Sequence, residues 1–487
     1  MSNIQNTTVI IIGAGIAGIK AATTLHQAGI KTLILEARDR IGGRILTYQP
    51  KNSKYKYDLG ACWFHSTSSN PVFAKSVELG QIDYVFDDKP VLFVGPDGAL
   101  SDEEVGSLGP VVGQIKSFAS AKKQVDDVSL KQAVAEYLFA NDKSLSDQQK
   151  KYAPSLVRFL EIPNGCSWEG VSARLADPGA GNGRDAFVKS GYSDVLKQEL
   201  DGSKYPVEEN ILTGKVVTKV KTLEDGSIEV FTDDNSIYKS EFAIVTIPQA
   251  VLKISGSDDE TISKEKGAIK FEPSLPTKIL DGFKKTHMTS LSKVIFEFDK
   301  SFWPDVEKFI IVPKPDESLK LLSTKTTKPN FKTQEHNKPP ESNAKLDPFD
   351  YPYLIANLQS LRNIPALMVL APAPATQLLE TKGGEFAWNF LKPIIANLSN
   401  LKIDELPKEG PKVTVTTNWT NDAFSRGSIS GNAPGDNLVN DGLIDGVGNL
   451  RFAGEAYCYE GHGNAHGAYL SGLKEAEFIA GKLGHKL

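Results

Sequence analysis

The chain has 487 residues, too many for one compact core, so two domains are expected. A formal net charge of −5 gives no general attraction to nucleic acid, and the longest apolar runs fall short of the roughly 18 residues a membrane span needs. The three cysteines, Cys62, Cys166 and Cys458, are far apart and match no metal spacing, which leaves no metal to expect and fits a reducing, cytoplasmic setting. The tail Gly484-His485-Lys486-Leu487 has only a loose likeness to a peroxisomal address.

The first element is the apolar, β-branched run Val9 to Ile12, short enough to be a buried parallel strand. Gly13-Ala14-Gly15-Ile16-Ala17-Gly18 follows at once. Gly13 permits the sharp turn, Gly15 lets a pyrophosphate approach the backbone, and Gly18 lets the next helix pack closely. A helix from about Ala17 to Gln27 then aims its N-terminal N–H groups at phosphate. Thr32 to Leu35 is a second strand, closed by Glu36, where an acid accepts ribose hydroxyls. Strand, turn, helix, strand and acid in register imply a bound dinucleotide. A carboxylate at the ribose excludes a phosphorylated one, leaving NAD or FAD.

Leu35-Glu36-Ala37-Arg38-Asp39-Arg40-Ile41-Gly42-Gly43-Arg44 adds a second glycine turn, with Arg44 as a bidentate phosphate partner. Together with GAGIAG, this stretch resembles the flavin-containing amine oxidases, a family that includes monoamine oxidases, polyamine oxidases and flavin histone demethylases. The resemblance covers nearly the whole chain. It implies FAD as the cofactor, with Gly13, Gly15, Ala17, Gly18, Glu36, Ala37, Arg38, Gly43 and Arg44 in its site. It also implies an α/β architecture: a Rossmann-like FAD domain with a parallel sheet, built from residues 1–90, 210–275 and 411–487. An α+β substrate domain would comprise residues 91–209 and 276–410.

Farther along, Tyr57 to His65 is the segment that lies along the flavin ring in this family, through Gly60, Ala61 and Trp63, with His65 at a substrate-site position. Asp88 resembles an acid that receives the distal amine of a polyamine. Lys215 to Tyr238 alternates as strands with turns at Asp225-Gly226 and Asp234-Asn235, and Val217 is the adenine contact expected from strand-edge backbone. Phe242 to Val245 is another short buried strand. Ser292 to Phe298 alternates with period two, placing Lys293, Ile295 and Glu297 on one face. The resemblance makes Lys293 the flavin-site lysine that holds a water near N5. Residues 314–350, rich in Lys, Pro, Thr and Asn, read as a flexible surface insertion.

Near the C-terminus, Trp419 lies in Asn418-Trp419-Thr420, with Arg426-Gly427-Ser428 just beyond, and is expected against the flavin. Arg451-Phe452-Ala453-Gly454-Glu455 is the second flavin signature, with Glu455 on the ribityl chain. Asn464 and Ala465 begin the last helix and present backbone N–H groups. Two substrate-site positions depart from the family. Ile429 and Asn464 stand where many members place aromatic residues that cage the amine. Cys458 lies near the C-terminal motif, but in a context unlike that of a flavin-attachment cysteine, so the flavin is expected to be noncovalent.

Within the family the chain resembles fungal polyamine oxidases, a branch that also includes a corticosteroid-binding protein. The reaction implied is hydride transfer from an amine α-carbon to flavin N5, imine hydrolysis, and reoxidation by O2 to give H2O2. The alternative is a flavoprotein whose pocket chiefly binds a steroid. The implied partners are therefore an amine or steroid and O2. A histone demethylase reading lacks a helical tower insertion or a chromatin module.

Overall fold

The computed structural model describes residues 4–177, 182–257, 259, 261, 263–319 and 346–486. Five parallel strands form the central sheet, in the order Ile211–Leu212, Thr32–Leu35, Val9–Ile12, Phe242–Val245 and Leu450–Phe452. Thr32–Leu35, Val9–Ile12, Phe242–Val245 and Leu450–Phe452 are buried throughout, as near-continuous apolar runs require of strands covered on both faces. One face carries the helix Ile16–Gln27, with the last helix, Ala465–Lys482, packed on it. A Cβ at Gly472 would stand 2.1 Å from the Ala17 carbonyl oxygen, so only glycine allows this approach. The other face meets a second sheet, in which Val217–Thr222, Ile228–Thr232 and Ile237–Ser240 form the predicted antiparallel run.

A seven-stranded sheet forms the other half. Its order is Val413–Thr416, Leu291–Glu297, Ala366–Pro372, Tyr353–Asn357, Lys308–Ile311, Val91–Gly95 and Gly98–Ala99. Phe296, Phe309, Tyr353 and Val369 pack on one face against Leu391 and Ile395 of the helix Ala375–Leu398. On the opposite face Ile295, Ala356 and Met368 meet Tyr57, Leu59, Cys62 and Phe187. The period-two reading of this strand therefore holds, but both faces are buried. The face that carries Lys293 looks toward the cofactor half.

Domain boundaries drawn from sequence shift in three places, each because packing is nonlocal. Val413–Thr416 pairs with Leu291–Glu297 and so lies in the seven-stranded sheet, although it follows residue 411. Ala186, Val188, Tyr192, Leu196 and Leu200 join the core around the first helix, so residues from about 186 to 205 belong with the cofactor half. Ile279 and Phe283 pack into the core shared with the second sheet. Of the predicted 314–350 insertion, residues 320–345 lie outside the described residues. Its base is fastened: Lys314 pairs with Asp347, Lys131 with Asp316 at 2.7 Å, and Phe349 is buried.

Four helices meet at one carboxylate. Glu199 is 4% exposed and accepts from Lys20 at 3.1 Å, Thr23 at 2.9 Å, Lys75 at 2.6 Å and Tyr469 at 3.3 Å. Burial works against its charge. The charge of Lys20 and the hydrogen bond and charge of Lys75 outweigh burial and hold the carboxyl below the usual range. The stabilisation is thus fully present above the ordinary carboxylate pKa of about 4.3 and is lost as pH falls through the lowered folded value. Glu199→Ala should cost about 1–3 kcal/mol at neutral pH, seen as a lower denaturation midpoint. The gap from wild type should shrink as the medium is acidified below the ordinary carboxylate range.

Candidate active site

The two glycine turns near the N-terminus are one structure. Gly42 N–H donates to Ala14 O at 2.8 Å, and a Cβ at Gly43 would lie 3.5 Å from the Gly15 Cα. Gly13 has φ +107°, so the sharp turn needs its freedom. A Cβ at Gly18 would come within 2.1 Å of Gly13 O, whereas one at Gly15 would meet nothing within 4 Å. The close packing thus belongs to Gly18 and the open approach to Gly15. The helix that starts at Ile16 has no side-chain N-cap and no acid in its first turn, which leaves its positive end available to an anion.

Glu36 is buried and ties this turn together. Its Oε2 accepts from Ala14 N–H at 2.7 Å and its Oε1 from Arg38 N–H at 2.9 Å. Arg38 reaches on to Asp422 at 2.7 Å and Ser425 at 2.9 Å, joining the N-terminal motif to the late one. Either side of Ala37, Glu36 O and Arg38 O accept from Lys215 N–H and Gly214 N–H, both at 2.8 Å. That brings the start of the Val217 strand beside Glu36. Val217 pairs with Thr232 on one side, while pairing with Lys270–Glu272 on the other begins only at Lys219.

Arg44 comes next. Its guanidinium donates to Glu455 at 2.8 Å and to Ser428 O at 3.0 Å. Glu455 Oε1 also accepts from Ser430 Oγ at 2.9 Å, but Glu455 Oε2 is buried with no partner. Burial opposes ionisation of Glu455, yet the charge of Arg44 outweighs it and holds the carboxyl below the usual range. A buried carboxylate oxygen with no donor is costly, and a ligand hydroxyl would satisfy it. Beside it, Gly463 N–H donates to Glu455 O, and the last helix starts at Ala465 with Asn464 as an N-cap that makes no side-chain capping bond. The Asn464 amide instead donates to His462 O at 3.1 Å. Cys458 Sγ contacts Glu455 O at 3.5 Å, and burial pushes its thiol up to about 12.

The Asp58–Trp63 segment is held from below. A Cβ at Gly60 would sit 1.6 Å from Arg44 O, so the two backbones touch there. Lys293, 6% exposed, donates to Asp58 O at 3.0 Å, Gly60 O at 2.5 Å and Cys62 Sγ at 2.8 Å. Trp419 is buried and donates its indole N–H to Leu59 O at 2.9 Å. Three successive carbonyls are thereby fixed by two side chains. All three Lys293 protons have acceptors within the chain, so a water could share them only by displacing one.

His65 Nδ1 lies 2.9 Å from Asp185 and its ring stacks on Trp63 at 6.5 Å. Burial would raise the Asp185 pKa, but its bond to His65 outweighs that and keeps it lowered. With Asp185 ionised, Nδ1–H is the donor and Nε2 is left to accept a proton. Asp88 is exposed and paired with Arg184. The acid that faces Trp63 is its neighbour Asp87, which accepts from the indole N–H and from Lys308, both at 2.8 Å. Ile429 is half-buried on the short strand Ile429–Gly431, next to Ser430 and thus to Glu455.

Four further side chains beside the site residues were not anticipated. Asp185 orients His65. Glu380 accepts from Thr417 Oγ1, Trp419 N–H and Thr420 N–H and so braces the Trp419 loop. His466, buried beside Gly461, is driven down to about 4 by burial and the nearby His65. Cys62 touches Lys293. Of these, His466 carried a local signal in the glycine-rich run Gly461 to Gly467, and Cys62 lies inside the Tyr57–His65 segment. Among the described residues no group of carboxylates, histidines and cysteines could hold a metal ion, and no helix is long and apolar enough to cross a membrane.

A sequence model described as flavin containing amine oxidoreductase matches residues 16–169 and 180–480. The chain is 31% identical to a corticosteroid-binding protein of Candida albicans, over 98% of this chain and 97% of that one. It is 26% identical to polyamine oxidase 2 of Arabidopsis thaliana, over 97% and 88%. It is 27% identical to a lysine-specific histone demethylase 1 homolog of rice, but spans only 54% of that protein's length. Among solved structures, cyclohexylamine oxidase of Brevibacterium oxydans superposes with a TM-score of 0.71 at 17% identity, over 98% of this chain and all of the other. FAD is the cofactor. The uncapped helix starts, the open face at Gly15 and the orphaned Glu455 oxygen all fit it.

Glu36→Ala removes the acceptor that holds the turn, at the position where the sequence expects the ribose. A charged hydrogen bond contributes about 1.5–3 kcal/mol, so FAD affinity should fall roughly tenfold to over a hundredfold. Flavin absorbance retained after dilution and gel filtration measures this.

Proposed function

Because the chain belongs to the flavin-containing amine oxidoreductase family, we propose that it is a polyamine oxidase acting on spermine or an acetylated polyamine. The observation that carries this reading is the His65–Asp185 pair stacked beside Trp63, on the segment whose carbonyls Lys293 holds. An imidazole oriented by a carboxylate is a proton acceptor with a defined direction, which a purely apolar pocket does not need.

Bound FAD supplies the hydride acceptor. The chain's own residues do the rest. Lys293 places a fixed positive charge under the Asp58–Cys62 backbone, where charge developing nearby is stabilised without reorganisation. Trp419 keeps that backbone from moving. His65 Nε2 accepts a hydrogen bond from a substrate nitrogen. Asp87 holds Trp63 and Lys308 in place along the same wall. The reacting amine must first lose its proton, and free alkylamines hold theirs to a pKa of about 10, so turnover should rise between neutral and mildly basic pH.

A second reading has a specific basis. Ile429 offers an apolar wall where an aromatic cage would hold an amine, and the 31%-identical relative is a corticosteroid-binding protein. An apolar polycyclic ligand needs no cation–π contact and can be held by burial at about 25 cal/mol per Å².

Anaerobic mixing with spermine should bleach the flavin absorbance, and no bleaching by any polyamine would remove the oxidase reading. Lys293→Met should retain FAD while slowing flavin reduction roughly a hundredfold to a thousandfold, as loss of a preorganised electrostatic group does. If both ligand classes share the pocket, steroid and spermine should compete when followed by flavin fluorescence. Ile429→Tyr should then favour the amine, by about 0.5–2 kcal/mol, over the bulky ligand.

A further inference from the structure

The Lys293–Cys62 contact has chemistry that amine oxidation does not use. Nζ stands 2.8 Å from Sγ, as close as an ordinary N–H···O bond although sulfur is the larger atom. Both groups are buried, at 6% and 3% exposure. Neither can turn away easily. Lys293 is held by Asp58 O and Gly60 O, and the Cys62 carbonyl accepts from Val188 N–H at 3.0 Å. Gly60, Ala61 and Trp63 on either side of Cys62 are only partly buried, and they lie on the segment expected along the flavin, where peroxide would be made. Two reactive atoms fixed in contact react as an intramolecular pair with a high effective concentration.

We infer that Cys62 and Lys293 are a modification site at which a peroxide forges a direct Sγ–Nζ sulfenamide bond, switching the lysine off. The oxidant is hydrogen peroxide, the two-electron reduction product of the dioxygen that an amine oxidase consumes. The Cys62 sulfur attacks one peroxide oxygen and the O–O bond breaks, leaving a sulfenic acid. The thiol proton converts the departing hydroxide to water, and the Lys293 ammonium gives up one proton to the surrounding water. The lysine, now a neutral amine, attacks the sulfenyl sulfur. The S–O bond breaks, the new S–N bond forms, and a second water leaves. Sulfur loses two electrons and the peroxide gains them, so one thiol, one amine and one peroxide give one sulfenamide and two waters.

The surroundings set the pace. Burial pushes the Cys62 thiol up to about 11, against the pull of the Lys293 charge. The pair should therefore resist traces of oxidant and yield to sustained peroxide. Once bonded, the nitrogen is no longer an ammonium, and the Asp58 and Gly60 carbonyls lose their charged donor. A dithiol reverses the bond: one thiolate attacks the Cys62 sulfur and releases the lysine amine, and the second thiolate resolves the mixed disulfide.

The test uses the FAD-loaded protein with added hydrogen peroxide, so its peptide readout does not depend on which amine is the substrate. After chymotryptic digestion, mass spectrometry should find the Cys62 and Lys293 peptides joined and two hydrogens lighter than their sum. The joined species should vanish on dithiothreitol treatment and be absent in Cys62→Ala and Lys293→Arg. Flavin reduction in the treated wild type should fall at least tenfold and return with dithiothreitol. Cys166 and Cys458 serve as internal controls in the same digest. The proposal is overturned if Cys62 stays a free thiol, if it stops at an unbridged sulfinic or sulfonic acid, or if the joined peptides carry an extra oxygen. The wild-type measurement alone decides this, even if a variant fails to fold.

Discussion

Everything at the centre of this molecule depends on one buried ammonium group. Lys293 rises from the seven-stranded sheet and reaches the backbone of Asp58 and Gly60 in the other half. Taking a lysine charge out of water costs several kcal/mol, and it stays only where acceptors repay that cost. Two carbonyls and a thiol supply them here, with the Asp58 carboxylate close by. Burial raises the Asp58 pKa, and Thr47 and Lys293 limit the rise. The lysine is thus a strut between the two halves as well as a charge in the site. Removing it would loosen a segment already pressed against Arg44 at Gly60.

A second set of charged contacts draws distant parts of the chain to the cofactor. Glu36 holds the first turn, Arg38 carries that link to Asp422, and Arg44 carries another to Glu455. These are strong, directional bonds between residues 384 and 411 positions apart. The parallel sheet imposes the same closure, since its strands come from both ends and the middle of the chain. The cofactor site is therefore preorganised by contacts among its own walls. The second oxygen of Glu455 is buried within this network without a partner.

What the sequence revealed followed the range of the forces involved. The glycine turn, the Glu36 strand end and the alternation around Lys293 are local patterns, and each lies where periodicity and turn chemistry put it. The choice between Asp87 and Asp88 was not legible, because neighbouring residues in extended chain point opposite ways and either could have faced the pocket. Pairing brings Asp87 to Trp63 and Lys308 and leaves Asp88 to Arg184. Asp185 lies 120 residues from the histidine it orients, and Cys62 lies 231 from its lysine. No spacing rule reaches across such gaps. The boundary shifts have the same origin: Val413–Thr416 falls in the 411–487 block expected of the FAD domain until strand pairing claims it.

This division of labour bears on how one scaffold could serve two kinds of ligand. The residues expected to hold the cofactor bond to one another, whereas Trp63, His65 and Ile429 are half-buried. Changing the latter leaves the hydrogen bonds of Glu36, Arg44, Glu455, Lys293 and Trp419 described above in place. A relative named for a corticosteroid and another named for polyamine oxidation both match this chain along nearly its full length. That is what such an arrangement permits. A pocket wall can pass from aromatic to aliphatic at the cost of a cation–π contact, without disturbing the pinned backbone beneath it. The half-buried side chains can therefore vary while the buried charge network keeps its own contacts.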